Sequence, residues 1–357
     1  LHGCCALGTL IAMTKPRVAF FDTKPYDEEY FDRASSGQLE VSYFPFSLNS
    51  EVASVVTDTF AVCVFVHDQL DRECLGMLHQ SGVRLVALRC AGFNAVDLEA
   101  ARELGITVTR VPAYSPSAVA EHAIAMLLTL VRHTHRAYNR IREHNFSLAG
   151  LVGFDLAGKT VGIIGCGKIG QKAAQIFRGF EMRVLGHDPM ANSEWAAAHG
   201  IELTDMSTIW HDSDIISLHV PLFPETEYLV RAETIAQMKR GVIIINTSRG
   251  KLVKTDDLIA GIRSGQVGGV CLDVYEEEDE YFYSDHSGQI LDDETLALLL
   301  TFPNVLVTSH QAFLTREALS QIASTSVANI LAAAENRVPM PGTVLVAPEE
   351  NDADDQE

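Results

Sequence analysis

Short apolar runs recur along the chain, and they constrain its fold more than any other feature. They are RVAFFD (17–22), AVCVFV (61–66), RLVALRC (84–90) and TVTRVP (107–112), then TVGIIG (160–165), MRVLGHD (182–188), DIISLHV (214–220), GVIIINTS (241–248), VGGVCLDV (267–274) and NVLVTSH (304–310). Most are apolar nearly throughout and turn polar only at their C-terminal ends. A strand with one wet face alternates apolar and polar residues, whereas a strand covered on both faces does not. The runs therefore predict an α/β protein, with parallel sheets covered by helices. A chain of 357 residues exceeds what one core usually supports, so two domains are expected.

Between the two sets of runs lies a long helical stretch, residues 115–145, with Ser115 or Ser117 as its cap and Glu121 in its early turns. It is apolar nearly all round through AIAMLLTLV and basic and polar later. A second helical stretch, 314–336, follows the last run. This order predicts a discontinuous first domain, 13–113 plus 314–345, with a continuous second domain, 114–313, inserted into it. Residues 1–12 read as an N-terminal extension ahead of Met13, and 346–357 as an acidic, disordered tail. There is no internal repeat.

The formal charge is −20, from 27 basic and 47 acidic residues. Such a field repels phosphate backbones, and no basic patch offsets it, so nucleic acid is excluded as a partner. No stretch reaches the roughly 18 apolar residues of a membrane helix. The seven cysteines show neither CxxC nor zinc spacing, so no metal is expected and the thiols read as reduced and cytoplasmic. The apolar start of the N-terminal extension leaves an organelle as the lesser alternative.

The run TVGIIG leads straight into GCGKIG, so Gly165, Gly167 and Gly170 form GxGxxG between a strand and a helix. In a dinucleotide site the first glycine permits the tight turn, the second lets backbone approach a pyrophosphate, and the third lets helix and strand pack. The next run ends at Asp188, 18 positions beyond Gly170, where an acid accepts hydrogen bonds from an adenosine ribose. No lysine or arginine stands in 189–193 to hold a 2′-phosphate. The pattern predicts NAD rather than NADP.

Open α/β sheets bind ligands at the carboxyl ends of their strands. Those ends present Thr247, Ser248 and Arg249, then Asp273 followed by Glu276, Glu277 and Glu278, then His310. An arginine, a carboxylate and a histidine suit the reduction of a 2-oxo acid. The guanidinium forks onto carboxylate and ketone oxygens, and the imidazole supplies a proton near neutral pH. A carboxylate beside it orients the ring and favours the imidazolium. Singly, each has a plainer reading: a capping arginine, a solvated acidic run, a core histidine. In the first domain, the Ala91–Gly92 turn could hold an anion on its backbone N–H groups, or could be an ordinary turn capped by Asn94 or Asp97. The Tyr114 hydroxyl could reach a cleft or satisfy an interdomain contact.

LRCAGFNAVD, VPAYSPSAVAEHAIAMLLTL, GKTVGIIGCGKIG, NTSRG, LDVYEEE and HQAFLT together give the chain a specific likeness, running from about Arg17 to Met340. It resembles the D-isomer-specific 2-hydroxyacid dehydrogenase family, and within it the fermentative, NAD-dependent D-lactate branch. The long YEEEDEYFYSDHSGQILDDET stretch matches that branch. The resemblance implies two doubly wound parallel-sheet domains, a flavodoxin-like substrate domain and a Rossmann NAD domain. It implies that Arg249 binds substrate, that Glu278, the second acid of the family's YExE, pairs with the histidine, and that His310 donates the proton. Lys168, Ile169, Asp188, Val220, Pro221, Thr226, Thr247, Ser248, Arg249 and Asp273 match cofactor contacts, Asp273 at the nicotinamide carboxamide. Ala91 and Gly92 match the substrate-carboxylate turn, and Tyr114 and Phe313 line the substrate site.

The activity implied is reversible hydride transfer between NADH and pyruvate, giving D-lactate, in a homo-oligomer (dimer or tetramer). Two alternatives stay open: a sibling enzyme for bulkier 2-oxo acids, and a dinucleotide-sensing corepressor-like protein.

Overall fold

In a computed structural model of the protein, residues 15–278 and 281–347 are described. The N-terminal extension, Asp279, Glu280 and residues 348–357 of the expected tail lie outside them. The chain divides into two compact units. One holds the described residues up to Tyr114 and from Arg316 onward; the other is Ser115–Thr315.

The first unit is built on a six-stranded sheet. Its strands are β1 (Arg17–Phe20), β2 (Glu40–Tyr43), β3 (Ala61–Val64), β4 (Leu85–Leu88) and β5 (Thr107–Thr109). The second unit carries β6 (Thr160–Ile164), β7 (Arg183–His187), β8 (Ile201–Leu203), β9 (Ile215–Leu218), β10 (Val242–Asn246), β11 (Val267–Leu272) and β12 (Val305–Val307). The chain then returns to the first sheet as β13 (Val344–Val346). The first sheet runs β13-β5-β4-β3-β1-β2 and the second β12-β11-β10-β9-β6-β7-β8. All described pairings are parallel except β13 against β5. Both sheets are doubly wound, as the apolar runs predicted. In the second, the order reverses beside β6, the strand that feeds the glycine turn. The crevice where such sheets take ligands falls at that point.

The central strands β3, β4, β6, β9 and β10 are buried at every position, which is why their sequences lack alternation. Three strands were missed in the sequence. β2 and β8 lie at sheet edges and are largely exposed, so their sequences, EVSY and IEL, carry too few apolar residues to stand out. β13 is short and docks antiparallel, a pairing no local signal announces. β12, expected as a buried strand, is instead half-buried at every position because it is the edge of its sheet.

The long helical stretch is also corrected. It is two helices, Pro116–Arg132 and Thr134–Arg142, broken at His133, whose φ of 52° is left-handed. The break falls where the apolar face ends, because the second helix buries none of its residues. Ser115, not Ser117, caps the first helix, its Oγ accepting from Ala118 N at 3.2 Å. That helix packs against the helix Lys168–Gly179 and against β10, β11 and β12. It closes one face of the second sheet with Ala123, Leu127, Leu130, Val161, Ile163 and Phe177 in a common core. In the first unit, the helix Arg316–Ala334 packs on the helix Pro25–Ser35 and on β4. Among the described residues no helix is long and apolar enough to cross a membrane.

Candidate active site

The three glycines after β6 are required for three different reasons. Gly165 has a φ of +95°, and a Cβ there would lie 2.5 Å from the His219 carbonyl oxygen. Gly170 begins to pack the helix against the turn, and its Cβ would meet the Gly165 oxygen at 1.9 Å. Gly167 meets nothing within 4 Å, so the backbone there is open to an approaching group. Gly167 also caps the helix Lys168–Gly179 without a side-chain hydrogen bond, leaving first-turn N–H groups for a ligand. Lys168 is exposed and Ile169 half-buried at the start of this helix. The residues fit a pyrophosphate.

Asp188 follows β7, and its carboxylate stiffens the glycine turn. Oδ2 accepts from Cys166 N at 2.8 Å and Oδ1 from Met190 N at 2.7 Å. Burial pushes the Cys166 thiol up to about 11, so it is un-ionised at neutral pH. His219, at the other wall of Gly165, bonds Ser217 Oγ through Nε2 at 2.9 Å, and burial drives its pKa down to about 4. Val220 and Pro221 follow it. Thr226 Oγ1 donates to the Pro221 oxygen at 2.7 Å and closes that loop.

Strands β10, β11 and β12 are neighbours, so their C-terminal ends stand in a row. After β10, fully buried Asn246 folds the NTSRG loop. Its Oδ1 accepts from Ser248 N at 3.0 Å, and its Nδ2 donates to the Arg249 oxygen at 2.8 Å. Ser248 Oγ donates to the Leu218 oxygen at 2.8 Å. Thr247 is buried, and its hydroxyl has no hydrogen-bond partner among the described residues. The Arg249 guanidinium donates to the Ser248 oxygen at 2.6 Å and forms no salt bridge with any described carboxylate. In a chain of net charge −20 that leaves a half-buried cation available to an anion.

Gly250 locks this loop to the next one. A Cβ there would sit 1.9 Å from the Tyr275 oxygen and 2.6 Å from Glu276 N. Both neighbours are backbone and neither can swing aside. Gly250→Ala is expected to cost about 1–3 kcal/mol of stability by overpacking. It should also lower activity, since it displaces the segments carrying Arg249 and Glu278 together. A thermal midpoint and turnover matching the parent would refute this.

After β11 the three glutamates separate by role. Glu276 is structural: its carboxylate accepts from Tyr228 Oη at 2.5 Å and from Thr255 Oγ1 at 2.8 Å. Glu277 is exposed. Glu278 accepts from Tyr275 N at 2.8 Å through Oε2, and its Oε1 lies 2.7 Å from His310 Nδ1. A carboxylate only accepts, so Nδ1 carries the proton in that bond and Nε2 is the nitrogen left for a substrate. The two side chains are 15% and 13% exposed, shielded enough for the bond to hold the ring.

His310 itself has a φ of 47°, a strained conformation for a non-glycine residue. Several contacts hold it there. Its N–H donates to the Asp273 oxygen at 2.7 Å. Tyr283 donates from Oη to the His310 oxygen at 2.9 Å and stacks on the imidazole with centroids 5.9 Å apart. Asp273, fully buried, accepts from Gln311 N at 2.9 Å and Ala312 N at 2.8 Å, so its carboxylate organises the loop that presents His310. Phe313 is buried at the end of that loop.

In the first unit, the Ala91 and Gly92 N–H groups donate to no partner among the described residues. Their carbonyls are held instead, Ala91 O by Arg110 Nη1 at 3.0 Å and Gly92 O by the Cys90 thiol at 3.2 Å. Asp97 caps the helix Leu98–Glu103, its Oδ1 accepting from Ala100 N at 2.9 Å. Tyr114 is half-buried. Gly250, Tyr283 and His122 were missed by reading the sequence, because each acts on backbone or side chains far away along the chain; Asn246 was missed although its partners, Ser248 and Arg249, are local. Among the described residues no group of three or more His, Cys, Asp or Glu is placed to hold a metal.

A doubly wound sheet with a glycine turn at its switch point, and an Arg, Glu–His set along its carboxyl edge, defines a nucleotide-dependent oxidoreductase. Residues 124–312 match the family described as D-isomer specific 2-hydroxyacid dehydrogenase, NAD binding domain. The chain is 48% identical over 318 residues to 2-hydroxyacid dehydrogenase A of Aspergillus oryzae, covering 88% of this chain and 91% of that one. It is 46% identical over 315 residues to D-lactate dehydrogenase of Escherichia coli, covering 88% and 95%. Its fold matches the structure of the pyruvate reductase of Chlamydomonas reinhardtii with a TM-score of 0.86 at 38% identity, over 91% of this chain and 98% of that one. The chain belongs to the D-isomer-specific 2-hydroxyacid dehydrogenase family, near its D-lactate dehydrogenases.

Proposed function

We propose that the protein is an NAD-dependent D-lactate dehydrogenase that interconverts pyruvate and D-lactate. The observation that carries this reading is the His310–Glu278 bond on the edge that also presents Arg249, a guanidinium without a carboxylate partner among the described residues. When bound, the dinucleotide supplies the hydride. His310, with Nδ1 held by Glu278, gives the proton at Nε2 to the developing alkoxide and takes it back in the reverse direction. Arg249 binds the substrate carboxylate and orients the carbonyl. The open N–H groups of Ala91 and Gly92 are proposed as a second carboxylate contact, and Tyr114 and Phe313 as residues lining the substrate site. The segment 114–313 is proposed as the NAD domain, and 13–113 with 314–345 as the substrate domain.

Gly165, Gly167, Lys168, Ile169 and Gly170 are proposed to hold the pyrophosphate, and Asp188 the adenosine ribose. Val220, Pro221, Thr226, Thr247, Ser248, Arg249 and Asp273 are proposed to line the rest of the cofactor. A carboxylate at Asp188 repels a 2′-phosphate, which supports NAD over NADP. Relatives named for lactate, for pyruvate and for 2-hydroxy acids at large support the substrate class. NADH oxidation with pyruvate, followed by chiral analysis, tests the reading. Expected are D-lactate as product, a clear preference for NADH over NADPH, and faster turnover of pyruvate than of phenylpyruvate or 2-oxoisocaproate. Binding of NADH without turnover of any 2-oxo acid would overturn it.

A further inference from the structure

His122 lies on the helix Pro116–Arg132, far in sequence from the residues assigned above. Its Nε2 is 3.0 Å from Thr308 Oγ1 and 3.2 Å from Asp273 Oδ1. Thr308 Oγ1 in turn donates to Asp273 Oδ1. A hydroxyl has one proton, and Thr308 places it on the carboxylate. The hydroxyl therefore accepts from His122, and Nε2 carries the hydrogen shared by Thr308 and Asp273. With the amides of Gln311 and Ala312, the Asp273 carboxylate collects four donors inside a fully buried site. Its own carbonyl takes the His310 N–H. Of these donors, His122 alone comes from a different helix and can carry charge.

We propose that His122 is a positioning residue, which holds the Asp273 carboxylate in place through Nε2 and thereby fixes the loop that presents His310. The inference rests on the function proposed above. A buried carboxylate that loses a donor either protonates or turns away, and either change frees the Thr308–Ala312 loop. The hydrogen bond from His122 is the largest influence holding Asp273 below the usual carboxylate range, against the desolvation that raises it. The groups facing Asp273 are His122 from the helix Pro116–Arg132, and the Thr308 hydroxyl with the Gln311 and Ala312 amides from the loop after β12. Taking the His122 donor away raises the Asp273 carboxyl, so activity should fail at a higher pH on the acid side.

Turnover of pyruvate with NADH, followed across pH for His122→Met, His122→Gln, Thr308→Val and His310→Ala, tests this. Methionine keeps bulk and helix propensity but removes the donor; glutamine puts an N–H back near Nε2. His122→Met is expected to lower kcat by about 10- to 100-fold, the loss of one hydrogen bond to a charged group. The KM for pyruvate should stay within about threefold. Its acid limb should move to higher pH, and His122→Gln should recover most of kcat. Thr308→Val cuts the same link from the other side and should shift the limb the same way, which keeps the test open if His122→Met does not fold. Parent-like kcat and acid limb in His122→Met, or equal losses with Met and Gln, would overturn the inference while an inactive His310→Ala leaves the function standing. A fully active His310→Ala would instead remove the function on which the inference rests.

Discussion

His310→Ala is expected to lower turnover of pyruvate by about 10²- to 10⁴-fold, the usual contribution of a positioned acid. Binding of NADH should be nearly unchanged, because the imidazole is engaged by Glu278 and stacked by Tyr283 rather than by the glycine turn. The loss should appear in kcat as well as in kcat/KM, since the proton is delivered in the transition state. Glu278→Gln is the informative companion. It keeps an acceptor for Nδ1–H but weakens the hydrogen bond that holds the ring, so its defect should be smaller than that of His310→Ala. Single-turnover NADH oxidation separates the steps. Turnover near the parent in His310→Ala would remove the proton-donor assignment.

The second large effect is expected at Arg249. Its guanidinium is half-buried, donates to the Ser248 oxygen and makes no salt bridge among the described residues, so a bound carboxylate would be its first full charge partner. Removing one member of such a pair costs about 2–5 kcal/mol. At about 1.4 kcal/mol per factor of ten, Arg249→Ala should lose roughly 30- to 4,000-fold in kcat/KM for pyruvate. Arg249→Lys should recover little, because an ammonium cannot fork onto two oxygens. The affinity for NADH, read by fluorescence titration, should change far less. A kcat/KM within a few-fold of the parent for either variant would show that another cation binds the substrate.

The residues with assigned chemistry were legible because strand ends concentrate polar groups after apolar runs. His310, Arg249 and Asp188 stand out for that reason. Glu276, Glu277 and Glu278 could not be told apart by spacing alone. The family motif selected Glu278, and only packing shows the other two bonded elsewhere or exposed: Tyr228 and Thr255 take Glu276, Glu277 is exposed, and His310 meets Glu278. Helix ends followed the same division. Ser115 was readable as one of two candidate caps, with Ser117, whereas the break at His133 depends on where the covering face of the second sheet ends.

By itself the sequence determined the parallel α/β architecture, the dinucleotide turn and the chemical types along one sheet edge. These are local consequences of apolar runs, glycine conformations and the polar ends of buried strands. Tertiary structure alone decided how that edge is held in register. Gly250 must pass within contact of the Tyr275 backbone, Tyr283 must close over His310, and Asp273 must gather the loop after β12 with His122. The physical reason is distance along the chain. A buried carboxylate or a backbone without room for a Cβ is satisfied by whatever the fold brings near, and nothing in the neighbouring residues records which partner that will be.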